Sequence, residues 1–496
     1  MESNEKNIAG QLSPELSTQN TSGARRLIVF AGCAIAFPIA PVIFWLAQRN
    51  NPALWVHGTS NTIFFLWTLC GVLAFSISLV FDLKNHRVDS KKVGLYVVVV
   101  RYLVMIGALN SDCTMHDYRA YEQAAMSFVN GGDLYIRAYH ANFPLVGECI
   151  GKAYQGIRLA FLQSHWSITN DACLAGIFYL FQCLQLYSVA IGYWLSTKLL
   201  SRWGLPAKRS TIICTCLWLL SWPIYLSIEY GQINLMMLDL TLLALLWSES
   251  WPVIAGILLA VAFFLKFYPL GVIAAAIICK RWKLTGAFLA GLLIMVSLQT
   301  YAGGTGIWMQ MLQSAQDRLL SNPAIDGEVQ TQPSITNAAL IICRVFARDL
   351  TGDATNYLWI VSFVLRSLIV LWFGWRSFVR QKTYNQTRTI VPNSSNTPNA
   401  ALTCFYAQAQ DFLMLELLVS PHVWQMHYVM ALPAILWAIA NNGSPLVFAA
   451  VPLLIMPNPL PYGTAYLALA FLKPLGLILL SLSQDIKHQK AQSNRL

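Results

Sequence analysis

Charge is the scarcest commodity in this chain: 11% of its 496 residues are charged and 56% are hydrophobic, where an ordinary soluble domain carries about 25% charged residues. No C-x-x-C pair and no His/Cys spacing suited to a metal occurs, and most of the eleven cysteines stand singly in apolar runs. No metal or cofactor is therefore expected. No repeat of 20–50 residues is present, which argues against a repeat array. The two halves show no matching interrupted helices, which weakens a transporter built from inverted repeats. Residues 1–24 are too polar for a cleaved signal, so the first apolar run reads as an uncleaved anchor.

What the chain has in abundance is apolar runs long enough to cross a bilayer as helices, about 18–22 residues each. They fall near 27–47, 61–82, 93–110, 172–197, 210–228 and 233–248, then as a short pair near 252–265 and 268–279. Further runs lie near 284–301, 356–376, 403–420, 427–441, 445–457 and 463–482. The fold class expected is an all-α polytopic membrane protein of about 12–14 transmembrane helices. The net charge of +11 follows this topology rather than a nucleic-acid surface. With a cytoplasmic N-terminus, Arg25-Arg26, Lys91-Lys92, Lys208-Arg209, Lys280-Arg281, Arg376 with Arg380 and Lys487 with Lys490 all fall on the inner side. Two long connections, 111–171 and 302–355, then face outward, the second with a membrane-surface helix near 335–349. The inner connection 380–402 reads as a solvated linker rich in Asn, Thr, Ser and Gln. Cys113 and Cys149 share the first outer connection, as a disulfide or as two free thiols.

Polar residues at the outer ends of these runs are the candidates for chemistry. Asp117 follows the third span. It is either a general base for a sugar hydroxyl or a cap on the helix Tyr118 to Val129. Its neighbours His116 and Arg119 tune it or bind anions on the first reading. Gln232 and Asn234, in Tyr230-Gly-Gln-Ile-Asn-Leu235, either cap the next span or face a site. Lys266, inside an apolar run, either snorkels to the surface or neutralises a phosphate as a point charge. Leu418-Val-Ser-Pro-His-Val-Trp-Gln-Met-His-Tyr428 brings His422, Trp424, His427 and Tyr428 to one connection, where the aromatics read equally as an interfacial belt.

These motifs, in this order, resemble glycosyltransferase family 87 of the C superfamily of polytopic glycosyltransferases. The matching pieces are Asp117-Tyr-x-x-Tyr121 with Gly132-Asp-Leu-Tyr135, Gly231-Gln-Ile-Asn-Leu235, Leu265-Lys-Phe-Tyr-Pro269, Gln332-Pro-Ser with Arg344, and Ser420 through Tyr428. The resemblance implies a polyprenyl-phosphate sugar as donor, mannose first among the sugars, and a glycolipid or glycan acceptor on the extracytoplasmic face. It also implies inversion at the anomeric carbon and a bacterial plasma membrane. Asp117 takes the catalytic position; Lys266, His427 and Arg344 bind the donor phosphate. His116, Arg119, Gln232, Asn234, Gln332, Ser334, His422, Trp424 and Tyr428 complete the substrate-binding set. The chain departs from the family pattern at 142–148 (Asn-Phe-Pro-Leu-Val-Gly-Glu), at Thr331-Gln-Pro-Ser334, and in Asp112, which stands close enough to share the base role.

The implied organisation is a tail at 1–26, two additional helices at 27–92, a catalytic module at 93–440, and terminal helices with a tail at 441–496. A different class of function, a multi-pass transporter or lipid flippase, would instead use the intramembrane Arg101, Asp239, Lys266, Arg366, Asp411 and Glu416 as a polar path.

Overall fold

The computed structural model describes residues 90–108, 116–132, 145–163, 170–320, 335, 339, 354–390, 397–420, 423–441, 444–456 and 471–493. All elements among the described residues are helical. In chain order they are α1 (Ser90–Ala108), α2 (His116–Val129), α3 (Leu145–Gln163), α4 (Asn170–Arg202), α5 (Ala207–Leu220), α6 (Trp222–Glu229) and α7 (Asn234–Trp247). Then come α8 (Pro252–Leu265), α9 (Leu270–Ile278), α10 (Trp282–Gly303), α11 (Gly306–Leu320), α12 (Ala354–Ile390) and α13 (Thr397–Val419). A 3₁₀ helix (Gln425–Ala431) leads into α14 (Leu432–Asn441), α15 (Pro445–Ile455) and α16 (Leu472–Ser493). The runs expected at 27–47 and 61–82 and the N-terminal tail lie outside the described residues.

Gly176–Arg202, Trp282–Gly303 and Ile360–Gln386 are long and apolar enough to cross a membrane, and α5 with α6 joins them if the bent pair counts as one span. Several other apolar runs form helices of only 10–17 residues. At 1.5 Å per residue a 14-residue helix reaches about 21 Å, short of the roughly 30 Å hydrocarbon core. The 210–228 run is not straight but bends by 51° between α5 and α6. Pro223 cannot donate to the α5 ladder, so Ser221 leaves helical geometry and its hydroxyl accepts from Ile224 N–H to start α6.

The long connections carry helices of their own. The connection 111–171 contains α2 and α3, and 302–355 contains α11. The 380–402 linker is helical to Ile390 and again from Thr397, so α12 extends well past the apolar stretch. Of the 335–349 segment only Ile335 and Ala339 are described, and both are buried; the rest lies outside the described residues. Cys149 carries a free, exposed thiol.

One core runs through α1, α4, α5, α7–α10, α13 and α14, and a second packs α2 and α3 on α4. Wide apolar faces of α10 and α12 stay uncovered, with Leu293, Phe363, Leu371 and Phe378 exposed, as lipid-facing sides require. Asp411 of α13 is buried between Arg376 (3.5 Å) and Arg380 (2.7 Å) of α12. Arg376 also donates to Ser481 of α16. These intramembrane charges therefore serve to tie three helices together.

Candidate active site

The site starts from the way α6 ends. Gly231 takes φ +66°, a left-handed conformation that only glycine adopts cheaply. This lets Gly231 N–H reach Ile228 O (3.1 Å) and Gln232 N–H reach Ser227 O (2.8 Å), the paired closure of a Schellman motif. The chain reverses within two residues and leaves the Gln232 side chain at the mouth of α7. Neither Gln232 nor Asn234 caps α7: the N-cap is Ile233, with no side-chain cap bond. Both amides are used elsewhere. Asn234 Nδ2 donates to Met426 O (3.4 Å) in the 3₁₀ segment.

Asp117 enters from α2. The backbone N–H groups of Asp117 and Tyr118 both donate to Tyr230 O, at 3.2 and 3.4 Å. Main-chain groups of α6 thus satisfy the start of α2, a job the sequence assigned to the Asp117 side chain as one of its two readings. The carboxylate instead accepts a hydrogen bond from Gln232 Nε2.

Lys266 ends α8. The proline at 269 prevents the helix from continuing, and Lys266 turns extended (φ −159°, ψ 153°) in the connection to α9. Its ammonium donates to Gln232 Oε1 at 2.6 Å and lies 3.0 Å from His427 Nε2. His427 is fixed by Trp424 N–H, which donates to Nδ1 at 3.2 Å. With Nδ1 accepting, the neutral ring carries its proton on Nε2, pointing at an amine that is itself a donor when charged. With Nε2 donating, the 3.0 Å contact is a hydrogen bond to the uncharged amine, and an anionic oxygen beside the pair would accept from both groups once the amine is charged.

Asp117, Gln232, Lys266 and His427, spread over 311 positions of sequence, thus form one hydrogen-bonded chain. Lys266 and His427 are each 8% exposed. Burial pulls the Lys266 amine down to about 8, against the opposing charge of Asp117. Gln232 lies between acid and amine, so the two are coupled without a direct ion pair.

Of the other expected residues, Trp424 supplies the main-chain donor to His427, and Tyr428 is buried behind it with Lys473 Nζ 5.6 Å from its ring. Arg119 is exposed on α2 and His116 opens that helix. Arg344, Gln332, Ser334 and His422 lie outside the described residues. Sequence reading missed two contributors. Gln185 of α4 donates to Gln232 O at 3.0 Å, and Ser227 donates to Met426 O at 3.3 Å. A glutamine inside an apolar span was the available signal for the first.

A further buried acid is Glu148 of α3. It is buried against α10, where Gln299 Nε2 approaches its Oε2 at 3.5 Å. Burial pushes its carboxyl up to about 7, while the Gln299 bond and Lys152 act the other way. A folded pKa raised above the unfolded value means the folded state holds the extra proton between about 4.5 and 7. Stability from this group is therefore full at low pH and lost as pH rises through 7. Protection factors of the α3 amides, corrected for the intrinsic pH dependence of exchange, should fall between pH 5 and pH 8 in the wild type, and Glu148→Gln should remove most of that fall.

Among the described residues no three His, Cys, Asp or Glu side chains gather as metal ligands. The molecule is an all-helical membrane protein with a buried acid–amide–amine–imidazole chain where five helix ends meet. Residues 172–391 match the family model of Glycosyltransferase family 87, the family that the motifs resembled. Over these residues the chain is similar to the membrane glycosyltransferases of that family. The match includes Gln232, Asn234 and Lys266, with Asp117 before it and His427 after it. No curated protein and no solved structure matches the chain.

Proposed function

We propose that the protein transfers a hexose, mannose first among candidates, from a polyprenyl phosphate to a hydroxyl of a glycolipid or glycan acceptor on the extracytoplasmic face of a bacterial plasma membrane. The observation that carries this reading is the single chain Asp117–Gln232–Lys266–His427. It sets a carboxylate at one end and two converging N–H donors at the other.

The acceptor hydroxyl gives its proton to Asp117 as its oxygen bonds to the anomeric carbon. The bond from that carbon to the phosphate oxygen breaks on the opposite face, so configuration inverts. The leaving polyprenyl phosphate gains charge on its oxygens, which Lys266 and the His427 Nε2 proton stabilise. One carboxylate suffices, because a phosphate leaves without a strong acid, unlike the leaving alcohol of glycoside hydrolysis. Arg344 is proposed to join the phosphate set, with Gln332, Ser334 and His422 beside the sugar or acceptor. His116, Arg119, Trp424 and Tyr428 are proposed to shape the rim. The reaction as written needs no metal or cofactor.

The test is purified protein in lipid nanodiscs with radiolabelled mannosyl phosphoprenol and a glycolipid extract. Label should move into a glycolipid whose new linkage has inverted configuration, with release of polyprenyl phosphate. Absence of transfer from every phosphoprenol hexose would remove the reading. Profiling the glycolipids of a deletion strain would then name the acceptor by what accumulates.

A further inference from the structure

His427 is carried by an element that needs outside support. It lies third in the seven-residue 3₁₀ helix Gln425–Ala431, and such helices seldom run so long because their hydrogen bonds are poorly aligned. Both neighbours of the imidazole are anchored. Before it, Met426 O accepts from Asn234 Nδ2 at 3.4 Å and from Ser227 Oγ at 3.3 Å. After it, Tyr428 is buried with Lys473 Nζ 5.6 Å from its ring centroid.

Lys473 sits in the first turn of α16, and nothing in that helix asks for it. The side chain is fully buried, which is costly for a charge, and a helix N-terminus disfavours a cation. Its amine is used by other elements instead. Nζ donates to Leu454 O and Met456 O, both at 2.9 Å, the open carbonyls at the end of α15. Gly476, one turn further on the same face, keeps α15 close: a Cβ there would come within 2.9 Å of Leu454 Cγ and 3.1 Å of Leu453 Cβ. The amine has two N–H donors whether charged or neutral, so both carbonyl bonds hold in either state. When charged it also lies within cation–π range of the Tyr428 ring. One side chain thus joins α15 and α16 to the residue beside His427.

Resting on the glycosyl-transfer reading above, we propose that Lys473 is a positioning residue that holds Tyr428 in place and so keeps His427 Nε2 aimed at the donor phosphate. Met426 and Tyr428 are the two fixed points between which the imidazole is carried. Without the second, the 3₁₀ segment relaxes and the ring drifts from the Lys266 amine. Lys473 acts only through His427.

The experiment is a double-mutant cycle on the full-length protein in nanodiscs with mannosyl phosphoprenol. Lys473→Met should lower kcat/KM for the lipid donor about tenfold, short of the loss that a displacement of a full ångström brings, with the KM for the acceptor unchanged. In the His427→Ala background the same change should cost less than about twofold, because the group it positions is gone. Lys473→Arg, which keeps donors for both carbonyls, should recover most of the loss. Equal losses in the two backgrounds, or none in either, overturn the inference. Should Lys473→Met fail to assemble, Lys473→Gln keeps two donors but draws them back by one bond. It must show the same dependence on His427, and equal losses again overturn the inference. A second readout needs no turnover. In protein carrying isotope-labelled histidine, with His427→Ala assigning the signal, Lys473→Met should shift the His427 ring-nitrogen resonance and leave the other histidines in place. An unmoved His427 signal overturns the inference, whereas inactivity of the wild type with every phosphoprenol sugar defeats the transfer reading alone.

Discussion

Replacing Asp117 with asparagine is expected to lower kcat by about 10³-fold, within the range a positioned general base contributes, while the protein stays inserted and folded. The isosteric amide should not disturb α2, because the N–H groups of residues 117 and 118 are held by the Tyr230 carbonyl. What disappears is the acceptor for the substrate proton, and the Gln232 amide loses its anionic partner. Single-turnover measurement with labelled lipid donor, beside a thermal-shift assay in detergent, separates the two consequences. Unchanged turnover in folded Asp117→Asn protein would exclude this residue from the chemistry.

The same measurement sorts an enzyme from a transporter when Asp411→Asn is run beside it. Asp411 is buried between Arg376 and Arg380, and removing one member of a buried ion pair costs about 3–5 kcal/mol. That variant should therefore lose assembly and yield, with normal turnover in the molecules that do fold. A transport path through the intramembrane charges would give the reverse order, with Asp117→Asn tolerated and Asp411→Asn inactive though folded.

The second large effect is expected at Lys266. Lys266→Met should lower kcat/KM for the lipid donor about a hundredfold, the scale of losing one fixed donor to a charged oxygen, with the KM for the acceptor changed by much less. Equal effects on both substrates would argue against a phosphate role. The sign of the pH response follows from burial. With the amine pulled down to about 8, the charged form that attracts a phosphate dominates below pH 8 and declines tenfold per unit above it. In wild type, kcat/KM for the donor should bend downward near pH 8, since that ratio reports groups of the free enzyme. Lys266→Arg keeps its charge at all working pH values and should move that limb upward, whatever it costs in geometry.

Much of this site was legible in one dimension because a lipid environment makes polar residues conspicuous. Lys266 stood out in an apolar run, as did the Gly-Gln-Ile-Asn string. Asp117 and the His-rich connection after Val419 were marked by their place at helix ends on one side of the charge pattern. Gln185 was passed over as a site residue for the opposite reason. It sits inside a long apolar run, and nothing local separates a buried structural amide from one aimed at a ligand.

Several readings were local and turned on neighbours that are distant in sequence. Whether Asp117 caps α2 depended on the Tyr230 carbonyl, 113 positions away. Whether Gln232 caps α7 depended on a glycine turn that points its amide toward residues 117 and 266. The length of α12 depended on Arg376 and Arg380 finding Asp411 and Ser481, which stabilises helix well past the apolar stretch.

By itself the sequence determined the helical, membrane-embedded class, since apolar runs with polar breaks leave the backbone no other way to satisfy its hydrogen bonds in lipid. It also determined the breaks at Gly231 and Pro269, because those residues act on their own dihedrals, while the bend at Pro223 inside the 210–228 run emerged only in the fold. Only the tertiary structure decided that acid, amide, amine and imidazole touch, and that Asp411 is a structural ion. Those facts rest on which helix ends meet, and that is set by packing among surfaces far apart along the chain.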